Sequence, residues 1–334
     1  MAASGLLLFW LAWAAAAADA GYAGAMACRA CHASQFKRQS TSGHAAALHR
    51  AKDHPSSARF AAQSMDRTPF RYAWRDYQLQ VDGAAPDDAE WAFGSGRQGV
   101  TFVSRLSAST FLELPLSFYS RAGQFDITPG HEALRPRSVE EARGQRFRAA
   151  PPGFSIGRCF ECHSTGPVRV SSDSVTITES GVRCEACHGA GQEHAANPEA
   201  RAIRSRKGLD GGEINALCGG CHRAPGEEYS NDFANPWNVR HQPPYLEQSK
   251  CFQASAGKLT CVTCHDPHSG LAGSKLENFN TRCASCHAAT SKSCGSDCVS
   301  CHMPPVKAGA HLQFRNHWIG VYRAGASPPL IPAR

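Results

Sequence analysis

Hydrophobic and polar residues are arranged differently in successive stretches of this 334-residue chain. Between residues 59 and 157, aromatic and β-branched residues alternate with polar ones and are interrupted by Gly and Pro, most clearly over Phe70–Gly83, 91–103 and 111–119. A period of two with such breaks predicts short β-strands. From residue 158 onward large apolar side chains become scarce and Gly, Ser and Ala common, which predicts short helices and loops without an ordinary core.

The N-terminus has a separate pattern. An apolar block from Leu6 to Ala18 is followed by an Ala-x-Ala sequence that ends at Ala20. This predicts a secretory signal peptide cleaved near Ala20 and Gly21, and therefore a periplasmic or extracellular protein. No Lys or Arg precedes the block, so a retained anchor is the alternative, although the block is shorter than the ~20 residues of a spanning helix. No later segment is predicted to cross a membrane.

Seven copies of Cys-x-x-Cys-His use fourteen of the sixteen cysteines. Each predicts a c-type haem attachment site, because two neighbouring thiols can form thioethers to the porphyrin and the next imidazole can bind the iron. Zinc knuckles or redox cysteine pairs are the alternative, but neither requires a His after every second Cys. The cysteine pairs, numbered here as motifs one to seven, are Cys28 and Cys31, Cys159 and Cys162, Cys184 and Cys187, Cys218 and Cys221, Cys261 and Cys264, Cys283 and Cys286, and Cys298 and Cys301. The proximal iron ligands that follow are His32, His163, His188, His222, His265, His287 and His302.

These patterns predict seven covalently bound haems on a mainly α fold with extensive coil, a multihaem cytochrome c scaffold with a small β-rich haem-free insert. Because apolar residues are scarce beyond residue 158, haems are expected to supply the buried mass, and folding is expected to require them. The alanines of residues 44–54 predict a helix. The predicted divisions are a signal peptide (1–20), a single-haem segment (21–58), the insert (59–157), a six-haem domain (158–322) and a C-terminal tail (323–334).

The formal net charge of +7 counts protein groups only, and bound haems would change this balance. A ferric haem has two propionates against one residual positive charge, so seven haems would offset the charge of the protein groups. Arg and Lys near the haems are therefore expected to pair with propionates. No basic run is interleaved with aromatic residues, so no nucleic-acid partner is expected.

Several stretches resemble multihaem cytochromes of the cytochrome c-554 type, over residues 26–322. They are Cys184–His188 with Gly-Ala-Gly and His194, Leu259–His268, and Cys298–Pro304 with His311 and Asn316-His317-Trp318. Gly94–Gly96, Leu114–Tyr119 and Pro129-Gly130 resemble features of a variety that sometimes carries tetratricopeptide repeats. The resemblance implies electron transfer along packed haems with bis-histidine ligation, and implies distal iron ligands at His194 and His268, with His311 and His317 as further candidates. No repeats follow His317, so docking through repeats is not expected.

Nine histidines lie outside the motifs and are available for the distal side of the irons. His194 and His268 lie six and three residues beyond a proximal His, too close to reach over their own haem, so each is expected to bind the iron of a neighbour. The distal candidates are His44, His131, His194, His241, His268, His311 and His317. His49 and His54 are spare, and methionines are too few for Met ligation to be general.

Cys251 and Cys294 lie outside the motifs. In an exported protein such a pair predicts a disulfide, with two free thiols or a thiol contact to a haem as alternatives.

The leading hypothesis is an electron carrier without catalytic residues, whose partners are redox proteins such as other cytochromes and quinol-linked or terminal reductases. The alternative is a reductase or other oxidoreductase of a small nitrogen or sulfur oxyanion, which needs one open iron and a nearby acid or base. The first haem is the candidate open site, with surroundings at Tyr72, Arg97, Tyr119 and His131. All motifs end in His, and the Cys-x-x-Cys-Lys form of pentahaem nitrite reductases is absent, which favours the carrier. A structural or filament-forming role is the third hypothesis. The sequence patterns are compatible with single carriers and with polymers.

Overall fold

A computed structural model describes most of the chain. The described residues are 21–149, 154–171, 175–203, 208–223, 232–271, 276–287, 297–323 and 332. About 30% of the chain is helical and 25% is strand, with several antiparallel sheets and a β-rich core. The prediction of a mainly α fold was therefore wrong. That prediction relied on the number of motifs. Most motif helices, however, are only four to seven residues long, whereas one strand of the insert has ten residues.

The insert consists mainly of two antiparallel sheets. One sheet has the order β2-β3-β4-β5, and the other has the order β1-β6-β7-β8-β10 with β9 also paired to β8. The strands are β1 Leu48–Arg50, β2 Gln63–Arg67, β3 Phe70–Arg75, β4 Gln78–Val81, β5 Asp87–Asp88, β6 Trp91–Phe93, β7 Gly99–Ser107, β8 Thr110–Tyr119, β9 Gln124–Ile127 and β10 Gln145–Arg148.

Alternating side chains explain how these sheets pack. In β3, Phe70, Tyr72 and Trp74 are buried, while the residues between them are exposed or half-buried. They pack with buried residues of β7, β8 and β9, so the main hydrophobic core lies between the two sheets. The turn from β3 to β4 uses Asp76 and Tyr77 at φ +50° and +62°, which fits a tight two-residue hairpin.

A second hydrophobic cluster lies on the other face of the larger sheet. It joins Leu48, Trp91 and Phe111 to Phe160, which lies between the two cysteines of motif two. Residues 44–54, where a helix was predicted, instead form turns, strand β1 and a short 3₁₀ helix. Pairing of β1 with β6 completes the sheet on which motif two packs, so tertiary pairing overrides the alanine propensity here.

The helices outside the insert are mostly short, and each of the seven motifs lies on or at the end of one. Of the described helices, α7 is the longest; Asp210 and Glu213 close its N-terminus as a reciprocal capping box. The helices are α1 Ala25–Cys28, α2 Ala33–Ser40, α3 Val139–Ala142, α4 Gly157–His163, α5 Cys184–His188, α6 Gln192–Ala196, α7 Gly211–His222, α8 Gln242–Glu247, α9 Lys250–Ala254, α10 Cys261–Cys264, α11 Leu276–Ala284 and α12 Cys298–His302.

Six short strands accompany these helices. They are β11 Ser164–Thr165, β12 Arg169–Val170, β13 Val175–Thr176, β14 Glu179–Ser180, β15 Pro305–Ala308 and β16 Leu312–Arg315. The hairpin β15-β16 packs against the insert through Ala308, Leu312 and Tyr119. Among the described residues, no helix combines the length and apolar character needed to cross a membrane.

Candidate haem-binding sites

Thiols from different motifs meet in pairs. Cys28 of motif one is a hydrogen-bond partner of Cys184 in motif three. Likewise, Cys162 of motif two partners Cys221 of motif four. The other cysteine of motif four, Cys218, partners Cys261 of motif five.

Contacts between the motif helices extend this arrangement. Helix α1 contacts α5, α7 contacts both α4 and α10, and α11 contacts both α10 and α12. The charge of a Cys187 thiolate also acts on Cys221, which links motif three to motif four. The motifs therefore form one connected series in the order one, three, four, five, six, seven, and motif two joins at motif four.

Four motif histidines, predicted to be proximal ligands, each have the ring of a non-motif histidine beside them. The ring centroids are 6.4 Å apart for His32 and His194, 6.0 Å for His44 and His222, 6.1 Å for His188 and His268, and 6.1 Å for His265 and His317. In every pair the non-motif histidine comes from the segment that follows a motif other than the one it faces.

These separations suit an iron between two imidazoles. Imidazole–metal bonds are about 2.0–2.1 Å long, and a ring nitrogen lies about 1.1 Å from the ring centroid, so two axial imidazoles place their centroids about 6.3 Å apart. The four observed separations span 6.0–6.4 Å. Direct stacking of two rings would bring them closer, so the residues present fit a haem iron in each pair.

Backbone carbonyls orient several of the rings. His194 Nδ1 lies 2.7 Å from the Arg201 carbonyl, and His317 Nδ1 lies 2.9 Å from the Arg315 carbonyl. The proximal His163 has the same contact to the carbonyl of Ala47 at 2.9 Å. Because a carbonyl can only accept, Nδ1 donates, which leaves Nε2 unprotonated and able to bind a metal.

Burial favours the neutral form of four of the paired imidazoles, those of His44, His222, His265 and His317. Desolvation lowers the pKa of His317 to about 4, and the neighbouring His265 adds to the effect. Desolvation likewise lowers the pKa of His222 to about 4, with further contributions from His44, His163 and His265. Neutral imidazole is the metal-binding form, so these sites favour ligation at ordinary pH.

Two predicted distal ligands have their Nε2 atom engaged elsewhere. His131 is buried, and its Nε2 lies 3.0 Å from the Glu113 carboxylate. His311 Nε2 lies 2.6 Å from the Asp126 carboxylate, and its ring packs on Tyr119. The structure does not bring either ring opposite a proximal histidine.

The other histidines outside the motifs differ. His54 uses both ring nitrogens, since Nε2 donates to the Gly94 carbonyl at 2.9 Å and Nδ1 accepts from the Ser56 amide at 3.0 Å. His49 packs edge-on against His54. The pKa of His241 is lowered to about 4 by burial and by the charges of Arg240, Arg223 and His222, so this candidate lies close to motif four.

The surroundings proposed for an open first haem are not assembled there. Motif one lies against α5, and His194 faces its histidine. Tyr72 instead lies in the core between the sheets, and Arg97 contacts the positions of Gly43 and Gly270.

One functional residue had no signal in the sequence. Glu185 lies inside motif three and is 2% exposed. Its carboxylate accepts the backbone N–H groups of Ala23 and Gly24 at 2.8 Å and of Gly191 at 2.7 Å. It ties the segment before motif one to motif three and to Gly191, three residues before His194. Only the fold reveals this, because the three amides are distant in sequence or belong to an irregular loop.

The predicted disulfide between Cys251 and Cys294 falls partly outside the described residues, because Cys294 does. The Cys251 thiol is half-buried, and its pKa is raised, first by burial. It lies near Cys264 and Cys283, between motifs five and six.

Comparisons with known proteins find multihaem cytochromes similar to this chain. A family model described as cytochrome c554 and c-prime matches residues 132–189, which contain motifs two and three. The multiheme cytochrome MtrA of Shewanella baltica is 23% identical over 238 residues, covering 56% of this chain and 67% of that protein. The C-type polyheme cytochrome OmcB of Geobacter sulfurreducens is 23% identical over 151 residues, covering 44% of this chain but only 20% of its own.

The resemblance to multihaem c-type cytochromes of the c-554 type is confirmed. A solved structure, the outer cell wall cytochrome OcwA, shares the fold with a TM-score of 0.56 at 16% identity, over 90% of this chain and 79% of that one. The two relatives are described as multiheme and polyheme cytochromes, which agrees with the seven Cys-x-x-Cys-His motifs of this chain.

Proposed function

We propose that this chain is an exported seven-haem cytochrome that transfers electrons along a connected series of haems, most of them with two histidine ligands. The observation that carries the proposal is the set of four imidazole pairs at 6.0–6.4 Å. A bound haem supplies one-electron chemistry between Fe(III) and Fe(II). The fourteen motif cysteines would hold seven haems, and the seven motif histidines would be the proximal ligands.

The distal ligands tie neighbouring motifs together. His194 follows motif three but faces the histidine of motif one, and His268 follows motif five but faces that of motif three. His317 follows motif seven and faces that of motif five. A displacement of one motif would therefore disturb the ligand set of another, which favours a fixed arrangement of the irons.

Motif four is the junction of the proposed electron path. Its helix α7 contacts the helices of motifs two and five, and its histidine faces His44, which follows motif one. We infer that motifs one and seven are the two ends of the series and that motif two is a branch. Electrons would exchange with redox partner proteins at these ends.

The remaining parts of the proposal concern location. An N-terminal signal peptide over residues 1–20 would direct export, and haem attachment by paired cysteines fits an extracytoplasmic protein. The related structure OcwA is described as an outer cell wall cytochrome, which supports a periplasmic or extracellular site of action here. The proposed partners are other cytochromes or reductases outside the cytoplasm.

A second candidate is reduction of a small nitrogen or sulfur oxyanion. It is favoured by one observation. All sixteen histidines lie within the described residues, and the rings contacting His163 do not include an imidazole; Phe93 packs edge-on at 5.3 Å. An iron at motif two could therefore keep an open position, close to the half-buried Glu113 and the buried His131.

Electron paramagnetic resonance of the oxidised, haem-loaded protein tests the proposal. We expect low-spin ferric signals to dominate. His268→Ala is expected to convert about one haem per chain to high spin, because the iron at His188 loses its second imidazole. His311→Ala is the matched control and should leave the spectrum unchanged, since its Nε2 contacts Asp126. An unchanged spectrum in His268→Ala would contradict the assigned ligand, and a high-spin signal in the wild-type protein that shifts with nitrite would favour the second candidate.

A further inference from the structure

One charged side chain of the insert, that of Arg97, lies between two loops that carry proposed distal ligands. Arg97 lies in the turn between β6 and β7. Its Nε atom is 3.3 Å from the position of a Cβ on Gly43, and its Cζ atom is 3.4 Å from that position on Gly270. Gly43 directly precedes His44, and Gly270 lies two residues after His268. The guanidinium therefore lies where the ligand loops of motifs four and three meet.

The turn that presents Arg97 is held in place by the insert. Gly94 and Gly96 have φ angles of +112° and +71°, which only glycine adopts without strain. The Gly94 carbonyl accepts a hydrogen bond from His54, which is 1% exposed, and the Gly96 carbonyl accepts one from Ser120. The buried His54 and the half-buried Ser120 thus fix the backbone from which Arg97 extends.

The charge of Arg97 has no protein acceptor in the described part of the chain. The carboxylate of Asp266, two residues before His268, is paired with Arg38 at 3.0 Å and lies 3.6 Å from His268 Nδ1. Arg97 itself is half-buried. A partly desolvated guanidinium with five N–H donors is costly unless an anion accepts from it.

We propose that Arg97 binds a haem propionate at the junction of the haems attached to motifs three and four. This rests on the proposed function. A propionate is a carboxylate, and the planar guanidinium suits it with two parallel hydrogen bonds. The glycines at 43 and 270 then have a reason, since a side chain at either position would press on the guanidinium.

The proposed contact has an electrochemical consequence. A positive charge beside a propionate offsets an anion that otherwise stabilises ferric iron. Removal of the charge should therefore lower the reduction potential most at the haem that carries this propionate. Gly270→Ala should act in the same direction without altering net charge, because its Cβ displaces the Arg97 guanidinium.

The test is a spectroelectrochemical titration of the haem-loaded full chain, with intact mass as a separate readout of haem number. Arg97→Gln is expected to raise the ferric-to-ferrous ratio of one haem by up to about tenfold at a fixed potential, which is about 59 mV for one electron. Arg97→Lys should retain part of the wild-type potential. Arg121→Gln is the matched control, because Arg121 is an exposed arginine of the same insert that binds the Gln313 side chain at 2.9 Å.

The outcomes separate this inference from the proposed function. A low-potential shift in Arg97→Gln and Gly270→Ala, with none in Arg121→Gln, supports the propionate contact. Identical titrations for Arg97→Gln and wild type, or equal shifts in Arg97→Gln and Arg121→Gln, overturn it. A wild-type mass without attached haems would instead refute the proposed function.

Discussion

The insert and the motif-bearing segment after it differ in how they form a buried core. In the insert, Tyr72, Trp74, Phe102 and Leu112 are all at most 1% exposed and pack between two sheets. Beyond residue 158 the buried apolar side chains are fewer and scattered, and several motif histidines and cysteines are themselves half-buried. The first region supplies its own apolar mass, whereas in the second the proposed haems would supply it.

The lengths of the elements show the same contrast. Strands β7 and β8 contain nine and ten residues and pair along much of their length. The motif helices α5, α10 and α12 contain four or five residues, far below the ~12–15 at which an isolated helix becomes marginally stable. Tertiary contacts must therefore hold these helices, and the proposed haems are the largest available contact surface.

The largest expected effect comes from preventing haem attachment. In a full chain with all fourteen motif cysteines changed to Ala, amide exchange over residues 158–322 should approach the rate of an unfolded chain. Strands β3, β7 and β8 should stay protected, because their core needs no haem. Hydrogen exchange with mass spectrometry resolves both regions in one sample. Equal loss of protection in both regions would show that the insert also depends on haem.

A smaller effect is expected from a cavity in the insert. Trp74→Ala removes a ring that packs on Phe102 and Phe125 at 4.6 and 4.5 Å, and should lower the free energy of unfolding of the insert by about 3–5 kcal/mol. The low-spin spectrum of the holoprotein should persist below the new melting temperature. Leu271→Ala is a control, since that side chain is 56% exposed. A spectral change in Trp74→Ala at low temperature would mean that the insert core and the haem ligands are coupled.

The fold could be predicted from the sequence only in part. Alternation in Phe70–Arg75 identified a strand correctly, because a period of two fixes which side chains enter the core. The alanines after His44 misled, because pairing with β6 decides the conformation there. The overall balance of helix and strand also depended on contacts that motif counting does not measure.

The distal histidines show where sequence reasoning ends. Short spacing indicated that His194 and His268 face other motifs, and the structure puts them beside the histidines of motifs one and three. Nothing in the spacing distinguishes His317 from His311, yet one faces His265 and the other a carboxylate. Such choices depend on the hairpin β15-β16, which positions residues distant in sequence. The ligand roles of these histidines stay predictions.

The smallest expected effect is a pH dependence of the free energy of unfolding that arises from the buried His54. Burial lowers the pKa of His54 below its usual 6.5, and the hydrogen bond to Gly94 only partly opposes this. Below about pH 6.5 the unfolded chain therefore binds more protons than the folded chain. The stability from this group is present above that pH and falls as the pH drops toward the folded pKa, by at most about 1.4 kcal/mol per pH unit.

His54→Gln can still donate to the Gly94 carbonyl and should remove this part of the slope. Urea midpoints of insert peptides, read by hydrogen exchange at about pH 7 and about pH 5.5, measure the difference between the two proteins. Parallel slopes for wild type and His54→Gln would show that His54 is not the titrating group.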